Sequence, residues 1–338
     1  MLASLQIGIW HWIGFIVFVL VALALDLGVF HKRDHVVRFR EALLWSTIWF
    51  SLAMLFALWL KNSPRPKDSL EFVTGYLIEL SLSMDNVFVI ALLFAYFRVP
   101  AEYQHRVLFW GILGALIMRG LMIGVGVALI NLIDWILYVF GAFLVFSGFK
   151  MMLVETEVEP EKNRIVRLVR KLYPVTPHMD GHNFLTRWEG KRALTPLALT
   201  LLMVETTDLI FAVDSIPAVF AVTKKPFIVF TSNVFAILGL RSLYFVLAGA
   251  ILYFRYLKTG LSIVLVFIGV KMLIDPHDVP EQKWKWFQYD IPTSTSLIII
   301  GAIILVSMVL SVTVAEREKR KGKREDKKSI KKEDKPES

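Results

Sequence analysis

The chain has 338 residues, of which 56% are hydrophobic and none is cysteine, and its mean hydropathy is +0.59. So much apolar residue exceeds what a soluble core of this length uses and points to a polytopic membrane protein. The missing cysteines exclude disulfides, thiolate metal sites and thiol catalysis. The net charge of +9 sits mainly in loops and tail, so it speaks for membrane topology and not for nucleic-acid binding.

Apolar stretches predict nine spans, near 10–30, 41–60, 69–97, 107–130, 133–153, 193–222, 227–252, 260–275 and 293–315. The first lacks a basic leader and a small-residue cleavage site and is read as an uncleaved helix. Asp26, in ALALDLGVF, lies near its inner end, where it either lines an inner vestibule or touches water. With the N-terminus outside, 27 of the 38 Lys and Arg fall in inner loops and tail and 7 in outer segments, which predicts N-out, C-in.

The resulting organisation is two N-terminal helices (1–68), a three-helix block (69–154), an inner loop (155–192), a second three-helix block (193–275), an outer loop with the last helix (276–315), and a charged tail (316–338). In the inner loop Ile165, Val166, Leu168, Val169 and Leu172 alternate with basic residues at helical spacing, which predicts a short helix on the anionic inner leaflet. His178, Asp180 and His182 follow; a solvated loop is the better reading there than a metal site. The tail mixes eleven Lys and Arg with seven Asp and Glu and is expected to be disordered.

The two three-helix blocks resemble each other. Glu79, Arg98-Val99-Pro100, Ile112-Leu113-Gly114, Arg119 and Gly148-Phe149-Lys150 recur as Glu205, Lys224-Lys225-Pro226, Ile237-Leu238-Gly239, Arg241 and Gly269-Val270-Lys271, at offsets drifting only from 126 to 121. Three spans is an odd number, so the copies cross the membrane in opposite directions. The expected fold is therefore an all-α polytopic membrane protein of about nine helices with an inverted 3+3 repeat, the layout of alternating-access transporters.

Polar residues inside these spans carry the chemistry. LMVETTDLIFAVDSIP (202–217) places Glu205, Asp208 and Asp214 in an apolar run, and YLIELSLSMDNVFVI (76–90) places Glu79 and Asp85 in another. Each acid costs roughly 2.5–3.5 kcal/mol at mid-membrane, so five of them argue for use. Pro217 predicts a broken or kinked sixth span, and a break in the third is the weaker expectation. Arg119 and Arg241 are candidate counter-ions, but two arginines leave three negative charges over. That excess asks for a cation, protons, or both. Oxygen ligands without thiolate or imidazole favour Mn²⁺, Mg²⁺ or Ca²⁺. Met84 and Met203 adjoin the acids and are read as packing residues. The glycines at 120, 124 and 126 are read as close-packing positions. There is no nucleophile–base pair and no phosphate-cradling glycine loop, so neither an enzyme nor a prosthetic group is expected.

VETTDLIFAVDSIPAVFAVTKKPFIVFTSNVFAILGLRSLYF (204–245), ELSLSMDNVFVI (79–90) and DLGVF (26–30) together resemble the TerC/Alx family. The resemblance covers nearly all of the membrane part. It implies a bacterial inner-membrane protein of manganese homeostasis with a LysE-superfamily-like fold, members that export Mn²⁺, and links to tellurium resistance and alkaline pH. It places metal-binding acids at Glu79, Asp85, Glu205, Asp208 and Asp214, with Asn86, Ser215, Asn233 and Arg241 as supporting groups. The expected function is proton-coupled Mn²⁺ export. The alternatives are a non-transporting subunit of a tellurium or metal stress-response complex and, ranked lower, an exporter of small organic cations or amino acids.

Overall fold

The computed structural model describes residues 8–30, 38–133, 135–153, 164–188, 190–248, 257–274 and 291–333. They form ten helices: α1 (Ile9–Phe30), α2 (Phe39–Lys61), α3 (Lys67–Tyr96), α4 (Ala101–Leu132), α5 (Ile136–Leu153), α6 (Arg164–Leu172), α7 (Pro196–Phe220), α8 (Pro226–Ala248), α9 (Leu257–Ile274) and α10 (Thr293–Glu333). Among the described residues eight helices are long and apolar enough to cross a membrane, and α1 adds a shorter apolar stretch, Ile9–Leu25. Eight such spans thus stand where hydropathy predicts nine.

The short amphipathic helix expected in the inner loop is α6. It buries Val166 and exposes Leu168 and Leu172. After it comes an antiparallel hairpin that the sequence reading does not contain, β1 (Leu185–Trp188) with β2 (Lys191–Leu194), turning at Gly190 with φ 78°. Pro196 then opens α7 at a position where its missing N–H costs nothing, and the Thr195 hydroxyl accepts from Ala198 N at 3.3 Å.

Two expectations are corrected by the helices themselves. Neither α3 nor α7 is broken: α7 runs through Pro217 and ends beyond it, with Ala221 N donating to Pro217 O at 3.0 Å. Hydroxyls placed to serve a break bond their own helix instead: Ser81 to Leu77 O, Thr206 to Leu202 O, and Thr207 to Met203 O, each at 2.6–2.7 Å. The tail is helical to Glu333, as an extension of α10. Glu, Lys and Arg are strong helix formers, and they continue a helix already nucleated in the span.

Helices α3, α8 and α9 form the interior. Of the apolar span in α8, 83% is buried, against 17% in α10. Outward-facing Ile298, Leu305, Ile117 and Leu121 are exposed, which is the surface a lipid solvent selects. Phe72 and Phe235 are fully buried among the rings of Phe15, Phe56 and Tyr76, fastening α1 and α2 to the interior pair α3 and α8.

The packing partners follow a pattern. α3 packs on α8 and α4 on α7, while α5 packs on α9, α3 on α7 and α4 on α8. Exchanging the block α3–α5 with α7–α9 leaves this set unchanged. At the α5–α9 seam the exchange holds residue by residue. A Cβ on Gly148 would meet Ser262 O at 2.9 Å and Val266 Cγ2 at 2.7 Å, and one on Gly269 would meet Gly141 O at 2.7 Å and Val145 Cγ2 at 2.8 Å. Each residue of the first trio (148, 262, 266) lies 121 positions from its counterpart in the second (269, 141, 145). Of the three glycines expected to pack closely, only Gly126 is tight, with Phe220 at 2.6 Å from its would-be Cβ; Gly120 makes ordinary contact and Gly124 faces open space.

Candidate functional site

The interior of α3, α4, α7 and α8 contains one buried polar hub, and its centre is Arg119. The side chain is 4% exposed. Its Nη2 donates to Asp208 Oδ1 at 2.9 Å and its Nε to Asp208 Oδ2 at 3.3 Å, a two-pronged grip on one carboxylate. Its Nη1 donates to Asn233 Oδ1 at 3.2 Å and Ser215 Oγ at 3.3 Å, and forms an ion pair with Glu79 Oε1. Asn86 Nδ2 completes the hub by donating to Asp208 Oδ1 at 2.7 Å. Four helices therefore meet on a single guanidinium, whose planar fork suits several oxygens at once.

The hub is not fully satisfied. Glu79 Oε2, Asn86 Oδ1 and Asn233 Nδ2 are buried and make no hydrogen bond, and Ser83 Oγ nearby along α3 makes none either. Buried polar atoms of this kind are uncommon and ask for a reason.

The other three acids lie elsewhere. Glu205 reaches from α7 onto α4, where its carboxylate lies against Gly114; any side chain at 114 would overlap it. Its Oε2 is buried without a hydrogen bond. Asp214, half-buried, accepts from Ser147 Oγ of α5 at 2.6 Å. Asp85, half-buried on α3, feels the charge of Lys258 at the start of α9. Among the described residues Asp85, Glu205 and Asp214 form no ion pair, and no three His, Asp or Glu side chains lie close enough to hold a metal ion. The expectation that all five acids converge is thus corrected. Arg119 gathers the two within its reach, and the unbroken course of α7 leaves Asp214 facing α5 instead of turning it towards Asp208.

Of the supporting residues, Asn86, Ser215, Asn233 and Arg119 belong to the hub, while Arg241 is buried in α8. The Asp26 side chain and Asp134 lie outside the described residues. Met203 is buried in an apolar cluster and Met84, partly buried, packs against that cluster, as read from sequence. Asp180 accepts from Thr186 Oγ1 at 2.6 Å beside the hairpin, a loop-closing bond.

Sequence reasoning missed three features. Ser147 carries no signal, being one hydroxyl in an apolar helix. Gly114 was visible inside the repeated Ile-Leu-Gly, but its contact with Glu205 was not. The third is a cluster tying the start of α3 to the α7–α8 turn: Lys225 Nζ bonds Asp68 Oδ1 at 2.5 Å and Glu71 Oε1 at 2.9 Å, and Thr223 Oγ1 donates to Glu71 Oε2 at 2.6 Å. Partial burial by itself would lower the affinity of Lys225 for its proton, but bonds to Asp68 and Glu71 and the charges of both outweigh it, so the ammonium is held above its ordinary 10.5. A raised pKa stabilises the fold fully below the unfolded value and loses that contribution as pH rises through the folded one. Thermal melts of wild type and Lys225→Met should differ by a constant amount up to about pH 10 and converge above it. A gap unchanged at higher pH would rule the ammonium out as its cause.

Comparison with known proteins places this architecture. The profile of the integral membrane protein TerC family matches residues 64–320. The chain belongs to the TerC family. The matched stretch contains the whole Arg119 hub together with Asp85, Glu205 and Asp214, and leaves α1 and α2 outside. An uncharacterized membrane protein of Myxococcus xanthus is 53% identical over 306 residues, covering 89% of this chain and 92% of the relative. The Escherichia coli (strain K12) protein named "Putative membrane-bound redox modulator Alx" is 46% identical over 316 residues, covering 90% and 95%. The protein of the same name from Salmonella typhi is 44% identical over 320 residues, covering 92% and 96%. No solved structure matches. The TerC-family protein is thus an integral multi-pass membrane protein with bacterial relatives of almost equal length.

Proposed function

We propose that this TerC-family protein exports divalent metal ions, Mn²⁺ foremost, across the bacterial inner membrane by alternating access, with protons moving the other way. The observation that carries the reading is charge: five carboxylates lie in the apolar runs 76–90 of α3 and 202–217 of α7, one buried guanidinium serves two of them, and the other three form no ion pair among the described residues. Acids kept at that depth outside any ion pair suit a path for cations and protons, because both compete for the same oxygens. Hard oxygen donors favour the Mn²⁺, Mg²⁺ and Ca²⁺ class.

Alternating access is supported by the exchange-invariant packing of α3–α5 with α7–α9 and by the reciprocal glycine contacts at α5–α9. An inverted repeat with N-out, C-in topology accounts for both these contacts and the distribution of Lys and Arg. The name of the Escherichia coli relative suggests a redox role. With no cysteine, this chain has no thiol to exchange, so such a role would be indirect. The engagement of Glu79 and Asp208 by Arg119 favours a second reading, a non-transporting subunit of a stress-response complex whose acids are structural.

Proteoliposomes distinguish the two. With a proton gradient imposed, wild type should move Mn²⁺ opposite to the proton flow, and Asp85→Asn and Asp214→Asn should reconstitute equally and move at least tenfold less. Wild-type flux that survives an uncoupler removes proton coupling alone. Absence of flux for every divalent ion, with folded protein, favours the scaffold.

A further inference from the structure

We infer that Arg119 is a tethered competitor of the cargo: its guanidinium holds the oxygens that the travelling cation must take, and it has to withdraw before the cation can be held there. The inference rests on the transport reading above and adds a specific role for one residue. Its basis is what Arg119 touches. The five acceptors are Asp208 Oδ1 and Oδ2, Glu79 Oε1, Ser215 Oγ and Asn233 Oδ1, all oxygen atoms, drawn from three helices. That is the donor set a hard divalent cation selects, with roughly six to eight oxygens for Ca²⁺ and about six for Mg²⁺. The guanidinium stands in for such an ion.

Charge and unused atoms say that the stand-in is imperfect. One positive charge faces the two carboxylates of Glu79 and Asp208, whereas a divalent ion would neutralise both. Glu79 is 0% exposed and Asn86 1% exposed, yet Glu79 Oε2 and Asn86 Oδ1 make no hydrogen bond. These are two further buried oxygens available to an ion that could coordinate on more sides than a planar fork. The displaced guanidinium also has somewhere to go. The Glu205 carboxylate lies against Gly114, five residues before Arg119 on the same helix, with Oε2 unbonded. At about 1.5 Å per residue that is about 7–8 Å along α4, within the swing of an arginine side chain. Cation entry at Asp208 and movement of Arg119 towards Glu205 would then be one event, and a site holding neither arginine nor cation would leave two buried negative charges uncompensated. Such an exchange lets the empty transporter offset part of its buried negative charge without an ion leak.

The test is equilibrium binding of Mn²⁺ to purified full-length protein by isothermal titration. Arg119→Gln should bind Mn²⁺ at least tenfold more tightly than wild type while transport in proteoliposomes falls at least tenfold. A residue with a purely structural role would weaken both. Arg119→Lys keeps the charge without the fork and should tighten binding severalfold; it decides the matter if Arg119→Gln does not fold. Folded variants that bind Mn²⁺ no more tightly than wild type overturn the role of Arg119 and leave transport standing. Wild-type protein that binds none of Mn²⁺, Mg²⁺ and Ca²⁺ overturns the transport reading, and this inference with it.

Discussion

Asp208→Ala should destabilise the detergent-solubilised protein by roughly 3–5 kcal/mol, the usual cost of removing one partner from a buried ion pair. The carboxylate is 6% exposed and takes three of the hub's hydrogen bonds, two from Arg119 and one from Asn86. Its removal leaves Arg119 with Glu79 as its one carboxylate partner in the hub and takes away the Asn86 amide's acceptor. Adding Arg119→Leu to the same chain removes the counter-ion of the buried Glu79 and should destabilise further, but by less than Arg119→Leu does alone, where two carboxylates are stranded, so the two changes should be non-additive by about 1–3 kcal/mol. Thermal unfolding followed by size-exclusion fluorescence measures all four members of the cycle. Strictly additive effects would mean that the two side chains do not act as a pair.

Gly148→Val and Gly269→Val should each abolish most of the folded protein, and by similar amounts. The would-be Cβ atoms approach backbone oxygen at 2.9 Å and 2.7 Å, so the strain falls on the main chains of α5 and α9 and not on a side chain that can turn away. Overpacking of a well-filled contact costs roughly 1–3 kcal/mol, and more where backbone must yield. Equality is the informative part: the two sites are counterparts at an offset of 121 residues and meet each other's neighbours. If one variant folds normally while the other fails, the seam is not reciprocal, and the support it lends to an inverted repeat is lost. Gly124→Val serves as the control, since nothing lies within 4 Å of its would-be Cβ, and it should fold normally.

Much of the helix layout was legible because lipid imposes it. A segment that must satisfy every backbone group internally has to be a helix of a certain length, and hydropathy reports that length directly. The amphipathic α6 was legible for a similar reason, since alternation of Arg with Ile, Val and Leu needs an interface. Pro217 misled because a proline in an apolar medium is tolerated when the surrounding helices hold the segment in place. The tail misled because composition reports whether a segment can bury surface, and α10 requires no burial to continue from a helix already formed.

Residue types and their depth, five acids and two arginines in apolar runs with a repeating motif, were determined by the chain's sequence alone, since desolvation charges the same penalty whatever the neighbours are. Only the tertiary structure decided that Arg119 takes Asp208 and Glu79, that Glu205 settles on Gly114, and that Asp214 turns to Ser147. The reason is reach. A charged group binds whatever lies within a few ångströms, and across helices that distance is set by crossing angle and rotation, which the order of residues along one helix does not contain.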